Sequence, residues 1–228
     1  MHVFDLDPEF LALYETCREQ TMTSIERMYA LYSATSYIVK NGLPGDFVEC
    51  GVWRGGSVML MASTLLRCGD TTRDLWLYDT FRGMTTPGAD DVQTMSGRTA
   101  TEILQEREPR VDDPFWGITP RDVVERNLHG TGYPLDRLHF VEGDVMATVP
   151  ASAPGKIALL RLDTDWYAST RHELEQLYPR LVRGGVLIID DYGYWRGAKK
   201  ATDEFLDTIR PRPLLHRIDY TGRICVKT

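Results

Sequence analysis

Leu159-Leu160-Arg161-Leu162-Asp163-Thr164-Asp165 and Val186-Leu187-Ile188-Ile189-Asp190-Asp191 are two short apolar runs that each end abruptly in carboxylates. Continuous apolar runs of this length read as strands buried on both faces of a parallel sheet. In open α/β sheets, ligands sit outside the carboxyl ends of such strands. Neighbouring strands lie about 4.8 Å apart. If these two are neighbours, Asp163, Asp190 and Asp191 converge on one point. Three carboxylates that close repel one another unless a cation or shared protons compensate. The ligand set is all oxygen, with no His or Cys, so a hard ion such as Mg²⁺ fits it best, with Mn²⁺ or Ca²⁺ as alternatives. Aspartates at strand ends also cap helices. However, Tyr192-Gly193-Tyr194-Trp195-Arg196-Gly197, which follows Asp191, is not a clean helix start.

Upstream, Asp46-Phe47-Val48-Glu49-Cys50-Gly51 reads as the first strand. It enters the turn Gly51-Val52-Trp53-Arg54-Gly55-Gly56-Ser57 and a helix from Val58 to about Cys68. Glycines there let a backbone approach a ligand closely. Trp53 stands where a dinucleotide fingerprint needs its second glycine, which argues against a nicotinamide-dependent oxidoreductase. Glu49, just before the turn, suits a ligand bearing positive charge. Leu75 to Tyr78 is the second strand and ends in Asp79, a position that commonly takes ribose hydroxyls.

Further strands are predicted at Leu138 to Val141, leading into Glu142-Gly143-Asp144, and at Ile157 to Leu162. Leu214 to Asp219 and Arg223 to Lys227 flank Gly222 and read as a closing hairpin. Two N-terminal helices are expected within residues 1–44, the second opened by a capping box from Thr23 to Glu26. Later helices are expected after Thr119-Pro120 and from a box at Thr170 and Glu173 to about Val182, closed by Gly184-Gly185. Another spans Lys199 to about Thr208. Residues 82–118 break the βα rhythm and read as a lid over the ligand edge, with a short helix near Ala100 to Glu106. The whole is one α/β domain, 1–228, with a mostly parallel sheet and an antiparallel C-terminal hairpin. That layout departs from simple nucleotide-binding folds and is the layout of Rossmann-like class I S-adenosylmethionine-dependent methyltransferases.

The formal net charge of −7 argues against nucleic-acid or membrane-surface partners. No apolar run reaches membrane-spanning length. Asp5, Asp7 and Glu9 are foreign to a signal peptide. Cys17, Cys50, Cys68 and Cys225 lack metal or CxxC spacing and are expected to be small buried hydrophobes in a reducing cytoplasm. No histidine has metal spacing. Trp116, Trp166, Tyr167, Tyr192, Tyr194 and Trp195 cluster near the strand ends, as packing or as faces for an acceptor.

Gly45 to Gly56, Asp79-Thr80-Phe81-Arg82-Gly83-Met84, Leu160 to Thr170 and Leu177 to Tyr192 together resemble the macrocin O-methyltransferase family, over about residues 21 to 208. That resemblance implies an S-adenosylmethionine cofactor, a Mg²⁺ ion, and a sugar-containing small molecule from natural-product or antibiotic biosynthesis as acceptor. By matching position it implies Asp163, Asp190 and Asp191 as metal ligands and Asp165 as the base. Thr21 and Met22 match a segment lining the cofactor site. The cofactor would lie along Gly51, Trp53, Gly55 and Ser57, with Glu49 at its amino-acid end, Asp79 at the ribose and Asp144 and Val145 at the adenine. Phe81, Gly143 and Asp163 are also expected to contact it. Homo-oligomers are also implied. Where the family carries Asp-Gly-Asp-Leu-Tyr-Glu-Ser-Thr, this chain has Asp163-Thr164-Asp165-Trp166-Tyr167-Ala168-Ser169-Thr170. The 82–118 stretch does not match the family well. A catechol satisfies the same metal geometry as a vicinal sugar diol, so it remains the rival acceptor. A non-catalytic S-adenosylmethionine-binding module would not need the four aspartates.

Overall fold

The computed structural model describes residues 7–111, 113 and 115–228. Asp5, and Asp112 and Pro114 of the insertion, lie outside the described residues.

Two helices, α1 (Pro8–Cys17) and α2 (Ile25–Lys40), precede strand β1 (Asp46–Cys50). Alternation of helix and strand follows: α3 (Gly56–Arg67), β2 (Leu75–Asp79), α4 (Ala100–Gln105), α5 (Arg121–His129), β3 (Leu138–Glu142) and α6 (Val145–Thr148). The chain ends with β4 (Ile157–Leu162), α7 (Tyr167–Leu177), β5 (Leu181–Ile189), α8 (Arg196–Leu206), β6 (His216–Arg217) and β7 (Arg223–Val226). The strands form one sheet in the order β3-β2-β1-β4-β5-β7-β6. The first five are parallel, and β7 and β6 close it antiparallel. The two runs that end in aspartates, β4 and β5, are neighbours, which meets the condition for their aspartates to converge.

Burial explains the arrangement. β4 is buried at every position, as expected of a strand covered on both faces. Phe47, Leu77, Leu159 and Ile188 pack under α1–α3 and α5, while Val48, Leu160, Leu187 and Ile189 pack under α7 and α8. Among the described residues, no helix is long and apolar enough to cross a membrane.

Several predicted boundaries move. Ser24, not Thr23, caps α2 by accepting from Arg27 N at 3.2 Å, because the Thr23 hydroxyl accepts from buried Arg161 instead. α7 starts at Tyr167, three residues before the predicted box, so Thr170 and Glu173 are interior and buried. Its end comes at Leu177, where Pro179 forces a 3-10 turn. Gly184-Gly185 therefore lies inside β5, where both glycines pair with the backbone of Lys227. Pairing between β4 and β5 jumps there, from Ile157 with Leu181 to Leu159 with Val186. α5 begins at Arg121 after Pro120, and the Thr119 hydroxyl caps nothing. α8 begins three residues earlier than predicted, and the hairpin's first strand is only two residues long.

The turn after β1 is the tightest crossing. Gly51 has φ of 83°, and a Cβ placed there would lie 2.0 Å from the Asp163 carbonyl oxygen. Gly51→Ala is expected to lower stability by about 2 kcal/mol or more, read from urea unfolding against the wild type. An unchanged midpoint would mean that this crossing tolerates a side chain.

Candidate functional site

At the carboxyl ends of the strands opens a cavity of about 420 Å³. Backbone bonds set its floor: Gly51 N donates to Tyr78 O at 2.8 Å, Asp163 N to Cys50 O at 2.8 Å, and Asp190 N to Leu162 O at 2.9 Å. These stitch the ends of β2, β1, β4 and β5 together in sequence.

Of the residues expected at the site, Thr21, Met22, Glu49, Gly51, Trp53 and Ser57 line the cavity. So do Asp79, Gly143, Asp144, Val145 and all four aspartates at the ends of β4 and β5. Gly55 and Phe81 do not. Gly55 caps α3 in a left-handed conformation, and a Cβ there would press on Val124 at 3.1 Å. The Phe81 side chain is buried in the core against Phe140. The flattened spacing of a sequence motif cannot separate a residue that touches a ligand from one that shapes the turn.

Asp79 holds the glycine turn in place. Its Oδ2 accepts from Val52 N at 2.6 Å and Trp53 N at 3.1 Å, and its Oδ1 from Phe81 N at 2.7 Å. One lone pair of Oδ1 is left for a ligand. Asp144 caps α6 by accepting from Met146 N at 2.9 Å.

Glu49 is 1% exposed. Its Oε1 accepts from Arg161, while its Oε2 is buried without a partner. Burial pushes the carboxyl up to about 8, against the opposing pull of Arg161. A buried carboxylate oxygen aimed at a cavity without a donor suits a ligand with a cationic N–H group.

The three aspartates at the ends of β4 and β5 come together. Asp163, Asp190 and Asp191 each offer an oxygen, and these lie within 4.8 Å of one another. Asp191 Oδ2 is buried without a hydrogen-bond partner. Burial, then the charges of Asp165, Asp163 and Asp190, hold the Asp191 carboxyl well above the carboxylate range. Burial also raises Asp163, to about 6. An all-oxygen set with an orphaned buried oxygen fits a hard divalent cation.

Two arginines with no role assigned from sequence underlie this cluster. Arg161 is 2% exposed and spans both halves of the site. It donates to Glu49 on one side, and to Asp190 at 2.7 Å and Asp163 at 2.8 Å on the other. Arg27 of α2 pairs with Asp190 and with Asp219 at 3.1 Å. A signal for Arg161 was present, since a charge inside a strand buried on both faces must be paired there. Arg27 gave none, because its partners lie more than 160 residues away.

Asp165 sits in a left-handed conformation, φ 66°, just past β4. Its Oδ1 accepts from the Trp195 indole Nε1 at 2.7 Å. Burial, with the Asp163 charge next, pushes its carboxyl up to about 8. The insertion covers this corner. Phe115 and Arg107 line the cavity, Phe115 meets Trp195 edge-on at 6.1 Å, and Gln93 bridges to the Trp195 backbone. Trp166 and Trp195 are buried, so of the six aromatics these two are chiefly packing.

Residues 16–226 match the family model for macrocin-O-methyltransferase (TylF). The chain belongs to the macrocin O-methyltransferase family. A tetracenomycin-type 4'-O-methyltransferase of Streptomyces olivaceus, acting on a dimethoxy-rhamnosyl compound, is 36% identical over 82% of this chain and 68% of its own length. The demethyldecarbamoylnovobiocin O-methyltransferase of Streptomyces niveus is 30% identical over 81% of this chain and 67% of its own. Among solved structures, the O-methyltransferase NovP superposes with a TM-score of 0.79 at 30% identity, over 92% of this chain and 82% of that one. This family member is therefore an O-methyltransferase built on the S-adenosylmethionine-dependent methyltransferase fold.

The departures from the family's aspartate motif have structural correlates. Thr164, at the family's glycine, donates to buried Glu173 at 2.9 Å. Trp166 donates its indole N–H to Thr85 O at 3.1 Å, tying the motif to the insertion.

Proposed function

We propose that this chain methylates a sugar hydroxyl that has a second hydroxyl beside it, in a natural product or glycoconjugate, using S-adenosylmethionine and Mg²⁺ or Mn²⁺. The observation that carries the reading is one cavity with two unpartnered buried carboxylate oxygens, Glu49 Oε2 and Asp191 Oδ2. The first suits the amino group of the cofactor and the second a divalent cation. The relatives' names, which include a rhamnosyl substrate and novobiocin, support a sugar as acceptor.

When bound, the cofactor supplies an electrophilic methyl group, and the cation lowers the pKa of hydroxyls it touches. The chain's own residues do the rest. Asp163, Asp190 and Asp191 would hold the cation, and Arg27 and Arg161 hold two of them in place. Asp165, beside the trio, takes the proton of the attacking hydroxyl at its carboxylate. Gly51 and Gly56 permit the close crossings with the Asp163 and Gln20 backbone that shape the cleft where the cofactor would lie, and Asp79 would face its ribose. The insertion, packed on Trp166 and Trp195, excludes water from this corner. Met22 and Tyr220, 50% and 56% exposed at the cavity mouth, offer apolar surface to the rest of the acceptor.

The test is methyl transfer from labelled S-adenosylmethionine to a panel of rhamnosides and catechols, before and after dialysis against EDTA. Chelation is expected to lower transfer to a rhamnoside by about 100-fold or more, with recovery on adding Mg²⁺ or Mn²⁺. Undiminished transfer after chelation would sink the metal reading. Transfer to catechols alone would replace the acceptor.

A further inference from the structure

Trp195 joins the acidic trio to the base. Its backbone N donates to the carbonyl of Asp191 at 3.0 Å, and its indole N–H donates to Asp165 Oδ1 at 2.7 Å. The residue is 1% exposed and meets Trp166 edge-on at 5.0 Å and Tyr194 at 5.2 Å. The insertion holds it from the far side, through Phe115 and the bridge to Gln93. The indole is thus fixed on several sides, and so is the direction of its single N–H.

Asp165 lies two residues from Asp163 and next to the trio in space. Yet its oxygens are not part of the set that lies within 4.8 Å. A fourth carboxylate this close is drawn toward any divalent cation held by the other three, since each added charge strengthens binding. A carboxylate bound to a cation has less basicity to offer a hydroxyl. The indole N–H opposes that pull by giving Oδ1 a fixed donor that is not the cation.

We propose that Trp195 is a positioning residue that keeps Asp165 out of the cation's ligand shell, so that the carboxylate remains free to accept a proton. The proposal rests on the reading of the trio as a cation site and of Asp165 as the base. Trp195 itself touches no reacting atom. It acts through Asp165.

The experiment measures Mn²⁺ binding by calorimetry and by the loss of the free-ion EPR signal, with no acceptor and no turnover required. The proteins are full-length wild type, Trp195→Phe, Asp165→Asn and the double variant. Trp195→Phe is expected to bind Mn²⁺ at least about fivefold more tightly, because the freed carboxylate joins the shell. That gain is expected to vanish in the double variant. Asp165→Asn alone should stay within about threefold of wild type, as a non-ligand would. A folded Trp195→Phe that binds Mn²⁺ no more tightly than wild type would overturn the proposal. So would a loss of about tenfold or more in Asp165→Asn alone, which would make Asp165 a ligand already; this arm stands even if Trp195→Phe does not fold. Wild type that binds no Mn²⁺ rejects the underlying cation site instead, and the proposal with it. Full turnover in Asp165→Asn, in the transfer assay above, rejects the base and so overturns the proposal, while the Mn²⁺ results alone judge the cation site.

Discussion

Asp165→Asn is expected to lower kcat by about 100-fold or more while leaving cofactor affinity intact. The asparagine carbonyl can still accept from the Trp195 indole, so the loop keeps its shape. Only the proton-accepting oxygen is lost. The left-handed backbone at this position also tolerates asparagine, as it does aspartate. A general base contributes about 10²- to 10⁴-fold in favourable cases, which sets the scale. The check is single-turnover methyl transfer with saturating cofactor and Mg²⁺, alongside calorimetric titration of S-adenosylmethionine. Unchanged turnover would remove Asp165 from the chemistry and leave the cation's own effect on the hydroxyl as the main source of activation.

Arg161→Met is expected to destabilise the fold by about 3–5 kcal/mol, the usual cost of removing one partner from a buried ion pair. Its guanidinium is buried among Glu49, Asp163 and Asp190. Methionine fills similar space but leaves Glu49 without a donor and Asp163 without its ion pair. Arg27 still reaches Asp190 and supplies only part of the compensation. The deficit has a sign in pH. Buried acids that lose their counter-charge titrate higher in the folded than in the unfolded chain, so the folded state binds more protons. The variant's stability therefore falls as pH rises through the carboxylate range and recovers as pH falls. Urea unfolding at a series of pH values checks both statements. A midpoint equal to wild type at neutral pH would mean that the carboxylates are compensated elsewhere.

The two predictions together separate roles that lie a few ångströms apart. Arg161 serves the framework, since it is held at once by three carboxylates and the Thr23 hydroxyl. Asp165, as the proposed base, would serve the reaction, since its loss changes one oxygen and little else. If both variants behaved alike, with loss of fold in each, the site could not be divided this way.

Much of this protein was legible in the order of its residues. β4 and β5 were visible as apolar runs because a strand covered on both faces has no polar side to interrupt it. The aspartates at their ends were visible because a change from apolar to acidic marks where a buried strand meets a ligand edge. The glycine turn after β1 was visible because close backbone crossings admit no Cβ. These are local properties, set by neighbours in sequence, and they gave the fold class, the family and the acidic trio.

What the sequence left open was decided by contacts between distant segments. Thr170 and Glu173 have the spacing of a helix start, but Asp91 of the insertion caps the helix three residues earlier, accepting from Tyr167 N at 2.7 Å across 76 residues. Thr23 has the character of a cap, but Arg161 takes its hydroxyl from 138 residues away. Trp195 and Arg27 carry no local sign of their partners, Asp165 and Asp190. A hydrogen bond or ion pair gains strength from burial and from freedom from water, and which groups share a dry space is a property of the assembled sheet and helices. Chain order by itself fixed where the acids stand; the packed fold alone determined which of them are tied to arginine and tryptophan, and which are left with oxygens to offer.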